Sequence, residues 1–199
     1  MKASFLTRYP FLKDALSILI FVAAVILGTM LINSFVFRSF NVIGPSMQPT
    51  MFTGDRLIVN RLPITWSQLQ NKQYIPERGQ TIVFDNPRYT AGLEDEYIVK
   101  RVIGLPGERV VVENGQLRVF NNQNPAGFDP DTTHTDTPAS PISGVTDTIV
   151  PDGSIFVMGD NRVGSFSNDS RSGLGMIPLF DIIGPVSLRV WPFTDWRGF

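Results

Sequence analysis

Two residues of this chain, Ser46 and Lys100, are of the types and in the settings that could supply a nucleophile and its base. Ser46 stands in Gly-Pro-Ser-Met-Gln-Pro-Thr, where two prolines and a glycine stiffen the backbone around one hydroxyl. Lys100 stands in Tyr-Ile-Val-Lys-Arg-Val-Ile-Gly, a run typical of a strand, in which alternation places Ile98 and Val102 on the face of the lysine. A lysine amine that has lost its charge can activate a serine hydroxyl for acyl transfer.

Each of these residues also has a simpler interpretation. Gly-Pro-Ser is typical of a bend, and local composition alone favours that interpretation of Ser46. Lys100 either packs its stem with the ammonium reaching water or holds a desolvated amine. A lysine base near pH 7.4 needs a pKa roughly 2–3 below the usual value, a change within what burial supplies. The other lysine beyond the first 40 residues, Lys72, lies among polar residues, so Lys100 is the candidate if a lysine base exists.

A third segment, 156–171, contains a Gly-Asp-Asn-Arg turn directly after an apolar run. Asp160 and Arg162 lie in this turn, and Asp169 and Arg171 follow in Asp-Ser-Arg. Taken alone, the segment indicates a hairpin turn and an ordinary ion pair between Asp169 and Arg171. By itself it predicts no chemistry.

The composition excludes several classes of chemistry. The 199 residues include no cysteine, which excludes disulfides, thiolate metal sites and cysteine nucleophiles. The one histidine, His134, lies in a polar, Pro-rich stretch typical of an exposed loop, so we expect neither a histidine base nor a histidine metal site. A net charge of −1 with no long basic run predicts no nucleic-acid partner.

The run 15–37 has 23 residues without a charge, close to the ~20 needed to cross a bilayer, and predicts a transmembrane helix. A cleaved signal sequence has a shorter apolar core, of ~7–15 residues, so we predict an uncleaved anchor. Basic residues set its orientation, with a cytoplasmic segment 1–14 and an extracytoplasmic domain 38–199. They are Lys2, Arg8 and Lys13 before the run and Arg38 after it.

The region beyond this helix has the pattern of a mainly β domain. Short apolar runs are separated by Gly and Pro, and no helical period persists, although 64–70 could form one short helix. Asn114-Gly115 between two apolar runs predicts a hairpin. The polar, Pro-rich stretch 121–148 predicts a mobile excursion, within an insertion at about 109–153. We predict strands at 56–60, 81–85, 97–103, 109–113, 116–120, 154–158 and 186–191.

Four segments together resemble the conserved boxes of type I signal peptidases, which are serine–lysine proteases. The boxes are Ser-Met-x-Pro-Thr, Gly-Asp-x-x-x-Val, Lys-Arg-Val-Ile-Gly-Leu-Pro-Gly-Glu and Gly-Asp-Asn-Arg…Asp-Ser-Arg. They are found here at 46–50, 54–59, 100–108 and 159–171. All four occur in the family's order behind an N-terminal spanning helix, and the resemblance covers nearly the whole chain beyond that helix.

The resemblance implies a membrane-bound serine endopeptidase, a hydrolase that removes signal peptides from exported preproteins during protein secretion. It implies Ser46 as nucleophile and Lys100 as general base, in an antiparallel β domain with a small β and loop insertion that lies on the lipid bilayer. It implies neither a metal nor another cofactor. The family's substrates have small residues before the cut and bind as an extended strand, so Val42 and Val99 are expected to line the substrate groove.

The chain departs from the family pattern near the nucleophile and near its end. Gly44 stands where many members have a serine that contributes a hydroxyl to the oxyanion hole. The Ser46 N–H and a second, unidentified donor are then expected to form that hole. The aromatic residue expected shortly after Arg171 is replaced by Ser-Gly-Leu.

The spacing within the last box leaves two candidates for the serine that orients the lysine. Six residues separate Arg162 from Asp169, where the family pattern has four. Counting from Arg162 gives Ser165, and counting back from Asp169 gives Ser167, which we slightly favour. The expected supporting residues are these two serines with Asp160, Arg162, Asp169 and Arg171.

Other functions stay open at this stage. A catalytically inactive relative would be a membrane-tethered binding or scaffold module, although retention of both Ser46 and Lys100 argues against it. An anchored β domain that binds a ligand through 121–148 would tolerate substitution of Ser46. Related serine–lysine proteases, the organelle inner-membrane peptidases and the self-cleaving repressors, fit less well. The expected location is the bacterial plasma membrane, with a thylakoid-type membrane as the alternative.

Overall fold

The computed structural model describes residues 10–92, 95–133 and 141–199, and it begins with a long helix, α1 (Pro10–Phe35). Among the described residues, α1 is the one helix that is long and apolar enough to cross a membrane. Its most apolar part is not buried against the rest of the protein. At ~1.5 Å per residue it is ~39 Å long, more than the ~30 Å of a hydrocarbon core. The helix ends before Phe37, because that residue opens the first strand.

Beyond α1 the chain folds mainly into antiparallel strands. They are β1 (Phe37–Asn41), β2 (Arg56–Asn60), β3 (Thr81–Asp85), β4 (Tyr97–Gly104), β5 (Arg109–Glu113), β6 (Gln116–Phe120), β7 (Thr146–Ile149), β8 (Ser154–Met158), β9 (Ile177–Pro178), β10 (Ile182–Trp191) and β11 (Arg197–Gly198). The larger sheet has the order β1-β2-β10-β3-β4-β8-β9, with β11 beside β10. One short helix, α2 (Leu62–Leu69), follows β2 near the predicted 64–70. The predicted mainly β class with one N-terminal helix is therefore confirmed.

The smaller sheet has the order β6-β5-β7 and lies within the stretch 109–153. The predicted Asn-Gly turn joins β5 to β6, and Asn114 and Gly115 both have positive φ, as a two-residue hairpin requires. The excursion predicted over 121–148 is wrong at its end, because β7 begins at Thr146. We missed β7 because its side chains alternate weakly and it depends on pairing with β5. His134 lies outside the described residues.

The strands are held in place by buried apolar clusters that also support the segment after β1. One cluster joins Val42, Met47 and Met51 to side chains of β2, β3 and β10. Met47 and Met51 are fully buried in this cluster, and they anchor the turn that contains Ser46 to the core. In β4, Lys100 pairs with Ile82 of β3, and the pairing with β8 begins at the next residue, Arg101.

Candidate active site

Ser46 and Lys100 are 54 positions apart in the sequence and in direct contact in the fold. The Lys100 Nζ lies 2.7 Å from the Ser46 Oγ, and it also donates a hydrogen bond to the Val99 carbonyl oxygen at 3.0 Å. A distance of 2.7 Å between Oγ and Nζ is suitable for transfer of the hydroxyl proton to a neutral amine. The pair therefore has the geometry of a nucleophile and its base.

The backbone around Ser46 is held from two sides. Gln48 N–H donates to the Pro45 carbonyl at 3.1 Å, and Met51 N–H donates to the Met47 carbonyl at 2.9 Å, which closes a tight turn. Gly44 has φ +86°, a conformation that glycine adopts without strain. The turn leaves Ser46 half-buried, so the hydroxyl is both fixed and accessible.

A second segment holds the carbonyl of Ser46. The Asn161 N–H donates to the Ser46 oxygen at 3.0 Å, and the Asn161 side chain donates to the Pro45 oxygen at 3.3 Å. Gly159 is required beside them, because a Cβ at this position would overlap the Ser46 carbonyl oxygen and the Ser167 hydroxyl. Sequence reasoning missed the role of Asn161, although it lies in the quoted Gly-Asp-Asn-Arg box.

Lys100 is buried, with 4% of its surface exposed. Burial lowers the pKa of Lys100 from its ordinary 10.5 to about 8, although the carboxylates of Asp169 and Asp160 act in the opposite direction. A lysine with this pKa is partly neutral near pH 7.4. This lowering of the pKa agrees with the lowering of roughly 2–3 that a lysine needs in order to act as a base near pH 7.4.

The two carboxylates nearest the lysine are each paired with an arginine. Asp160 accepts two hydrogen bonds from Arg101, at 2.7 and 2.6 Å, and both side chains are buried. Asp169 accepts from Arg171, at 2.8 Å between Oδ2 and Nη2. Burial is the larger influence on the pKa of Lys100, and the two carboxylates act against it. Sequence reasoning missed the partner of Asp160.

The remaining predicted supporting residues occupy different environments. Arg162 is buried and forms an ion pair with Asp131. Ser167 is buried close to Gly159, and its Oγ has no hydrogen-bond partner. Ser165 is exposed. The fold therefore brings Ser167, rather than Ser165, to the buried side of the site.

A cleft of about 780 Å³ opens onto the Ser46–Lys100 pair. Val42 and Val99 both line it, together with Leu57 and Val83. Its wall includes the segment that follows β1. β1 is an edge strand of the larger sheet, and among the described residues it pairs with a strand on one side only. A second cavity of about 600 Å³ lies near α2 and contains neither Ser46 nor Lys100, so we assign the chemistry to the first.

Metal chemistry has no evident basis within the part of the chain that the structure describes. No group of three or more His, Cys, Asp or Glu side chains there is arranged to hold a metal ion. The arrangement around Ser46 instead provides a hydroxyl, an amine of lowered pKa and a cleft that reaches both. Acyl transfer through a serine uses a hydroxyl and a base of this kind.

Comparisons with known proteins point to one family. The sequence matches the model of the family described as "Signal peptidase, peptidase S26" over residues 13–191. It is 31% identical over 196 residues to signal peptidase IB of Staphylococcus aureus, covering 93% of this chain and 94% of the relative. It is 34% identical over 191 residues to signal peptidase I S of Bacillus subtilis, covering 88% of each. A crystal structure of a signal peptidase I from Enterococcus faecalis, 26% identical, covers 56% of this chain and 97% of that chain, with a TM-score of 0.42, too low to add to the fold described above.

The burial of Lys100 predicts a pH-dependent gain in stability for Lys100→Met. Below pH 8 the folded protein carries a charged, buried amine, and methionine removes that penalty. The free energy of unfolding of Lys100→Met should exceed that of the wild type by at most about 3 kcal/mol at pH 7, at ~1.4 kcal/mol per pKa unit. Between pH 8 and 10.5 the folded amine is neutral while the unfolded one is still charged, so the difference should shrink towards zero.

Urea unfolding in detergent at several pH values measures this difference. Lys72→Met is the matched control, because Lys72 is exposed and has no burial penalty to relieve. A gain for Lys100→Met that is the same at pH 7 and pH 10 would contradict the lowered pKa.

Proposed function

The chain belongs to the signal peptidase family S26, and we propose that it is a membrane-anchored endopeptidase that removes signal peptides through a Ser46–Lys100 dyad. Members of this family are serine endopeptidases. The observation that supports the dyad most directly is the 2.7 Å contact between the Ser46 Oγ and the Nζ of a buried lysine.

In the proposed mechanism, neutral Lys100 accepts the hydroxyl proton as the Ser46 Oγ attacks the scissile carbonyl. The resulting Lys100 ammonium then gives its proton to the leaving amine, and an acyl-enzyme remains on Ser46. Lys100, neutral again, removes a proton from the water that hydrolyses the ester. The Ser46 N–H is one candidate donor to the oxyanion, and the donor that completes the hole with glycine at position 44 is not assigned. No step requires a metal or another cofactor.

The cleft supports binding of the substrate as an extended strand. Val42, which is buried, and Val99, which is half-buried, give the walls beside Ser46 an apolar character. Apolar walls of this kind are suited to the small side chains expected before the cut. The free edge of β1 continues into the same cleft, where substrate backbone could pair with it.

The position of the site after α1 supports action at a membrane. Helix α1 is long and apolar enough to span a bilayer, and Ser46 follows its end closely in the sequence. A signal peptide is itself an apolar helix with its cleavage site just beyond it. We propose that the N-terminus is cytoplasmic and the β domain extracytoplasmic, on a bacterial plasma membrane or a thylakoid-type membrane.

The dyad predicts that two single substitutions abolish cleavage. Wild type, Ser46→Ala and Lys100→Met are compared in liposomes on a preprotein with an Ala-x-Ala site. Loss of either nucleophile or base should lower kcat by about 10³-fold or more, because the two act as one unit. Lys72→Met serves as the control and should cleave at the wild-type rate.

Two other outcomes would contradict parts of this proposal. If Ser46→Ala cleaves as well as wild type, the active-site assignment is wrong. If wild type itself cleaves nothing, the chain is better described as an inactive relative that binds without cutting.

The pKa of Lys100 predicts the pH profile of cleavage. Only the neutral amine acts as a base, so activity is present above the folded pKa of about 8 and is lost as pH falls through it. We expect kcat/KM at pH 6 to be about 100-fold below its plateau near pH 10, a tenfold loss per pH unit. Circular dichroism at each pH controls for unfolding. A flat profile between pH 6 and 9 would exclude Lys100 as the base.

We propose that Ser167 positions Lys100, and this predicts different effects for the two candidate serines. The Ser167 hydroxyl is buried without a hydrogen-bond partner, and it lies beside Gly159, as the Ser46 carbonyl oxygen does. Ser167→Ala should lower kcat by about 10–100-fold, the equivalent of one strong hydrogen bond, with KM little changed. It should also move the midpoint of the pH profile.

Ser165→Ala is the matched control, because Ser165 is exposed in the same loop. It should retain both the rate and the pH profile of the wild type. The opposite result, with Ser165→Ala impaired and Ser167→Ala normal, would reassign the positioning serine.

A further inference from the structure

Helix α2 exposes an apolar ridge on the side opposite to its contact with the domain. Leu62, Trp66 and Leu69 are 48%, 65% and 73% exposed, and their spacing of four and three places them on one face of the helix. Ile64 points the other way and is buried, where α2 packs on β10. A solvated helix normally presents polar side chains on its outer face, so this ridge needs an explanation.

The ridge lies at the end of the long apolar helix. The Thr65 hydroxyl donates to the Phe35 carbonyl oxygen at 2.8 Å, and the Arg61 N–H donates to the Val36 carbonyl at 2.8 Å. These bonds join α2 directly to the last turn of α1. The two helices therefore keep a fixed relation, and α2 cannot move away from the point where α1 ends.

We propose that α2 is a second membrane contact, which lies in the bilayer interface and inserts Leu62, Trp66 and Leu69 among the lipids. The proposal rests on α1 spanning the bilayer, as proposed above. Given that anchor, the end of α1 is at the membrane surface, and hydrogen bonds hold α2 at the same level. Tryptophan is enriched at this depth because its ring is apolar and its N–H is polar.

Positive charges beside the ridge are suited to lipid headgroups. Burial and the neighbouring charge of Arg38 both lower the pKa of Arg61, and the Nε of Arg61 has no hydrogen-bond partner. The carboxylate of Asp85 acts in the opposite direction on Arg61 and interacts with Arg38 as well, so it offsets part of this positive charge. Arginine side chains can also donate hydrogen bonds to lipid phosphate. An apolar ridge flanked by basic groups is the usual composition of an interfacial helix.

A protein partner is a poorer match to this surface. Stable protein interfaces bury about 800 Å² on each side, and three side chains of one two-turn helix supply much less. The bilayer needs no such area, because α1 already holds the chain there. With a second contact, the height and tilt of the β domain relative to the bilayer would be fixed. The cleft at Ser46 would then lie at a constant distance from the membrane surface, where it meets an inserted substrate.

The lack of cysteine in the chain allows a direct test, because one introduced cysteine can be labelled uniquely. Trp66→Cys and Leu69→Cys report the ridge, Ile18→Cys reports α1, and Val145→Cys is an exposed apolar control before β7. Each full-length variant carries a fluorescent label in vesicles of phosphatidylcholine and phosphatidylglycerol with nitroxide lipids. Shallow nitroxides should quench labels at 66 and 69 by about half, and deep ones the label at 18, while 145 stays bright.

The outcomes separate this proposal from the anchoring on which it depends. If the label at position 18 is quenched but the labels at positions 66 and 69 stay as bright as the label at position 145, α2 lies in water. The proposal is then wrong, while the anchoring by α1 stands. If 18 escapes the deep nitroxides, the anchoring fails and this proposal fails with it.

Cleavage gives a second readout. Replacing Leu62, Trp66 and Leu69 together by glutamine should lower kcat/KM on a membrane-inserted preprotein by about 5–10-fold, because the cleft loses its fixed depth. The same variant should cleave a soluble peptide at the wild-type rate. Equal rates on both substrates, or equal losses on both, would contradict a membrane role for α2.

Discussion

The Lys100 Nζ lies 2.7 Å from the Ser46 Oγ, at a place that solvent scarcely reaches. A charged ammonium is strongly disfavoured there, and a neutral amine is not, so the burial that weakens the fold also favours the form that the proposed base requires. Lys100 pairs with Ile82 of β3, and on its other side the pairing with β8 begins only at Arg101. The burial of Lys100 therefore depends on the segment that follows β8 as well as on the sheet.

The charges around this amine are arranged so that burial prevails. Two carboxylates lie near enough to favour the ammonium, and each is held by an arginine. The Arg101 side chain belongs to the residue next to Lys100, so one strand supplies both the base and the group that offsets Asp160. Ion pairs buried in this way contribute little net stability. Here they keep both carboxylates paired, and burial remains the larger influence on the pKa of Lys100.

Local features of the site could be predicted from sequence, and long-range ones could not. The strand around Lys100 and the stiff turn around Ser46 follow from residues within a few positions of each. The hairpin at Asn114 follows from its turn residues. By contrast, Asp160 pairs with Arg101 across 59 positions, and nothing local to either residue specifies that partner. The choice between Ser165 and Ser167 depends on which side of one loop faces the domain, and the joining of α2 to α1 depends on hydrogen bonds over 30 positions.

The hydrogen bonds between Asn161 and the backbone of Ser46 and Pro45 have a consequence for how the protein matures. They close across as many as 116 positions, so Ser46 and the turn that holds its backbone are far apart in the sequence. Contacts between residues so far apart in the sequence form slowly, because the entropy cost of closing the loop between them is large. A partly folded chain would therefore have a serine with no fixed backbone and a lysine still charged in water. The proposed dyad would therefore be assembled only after these two distant segments have met.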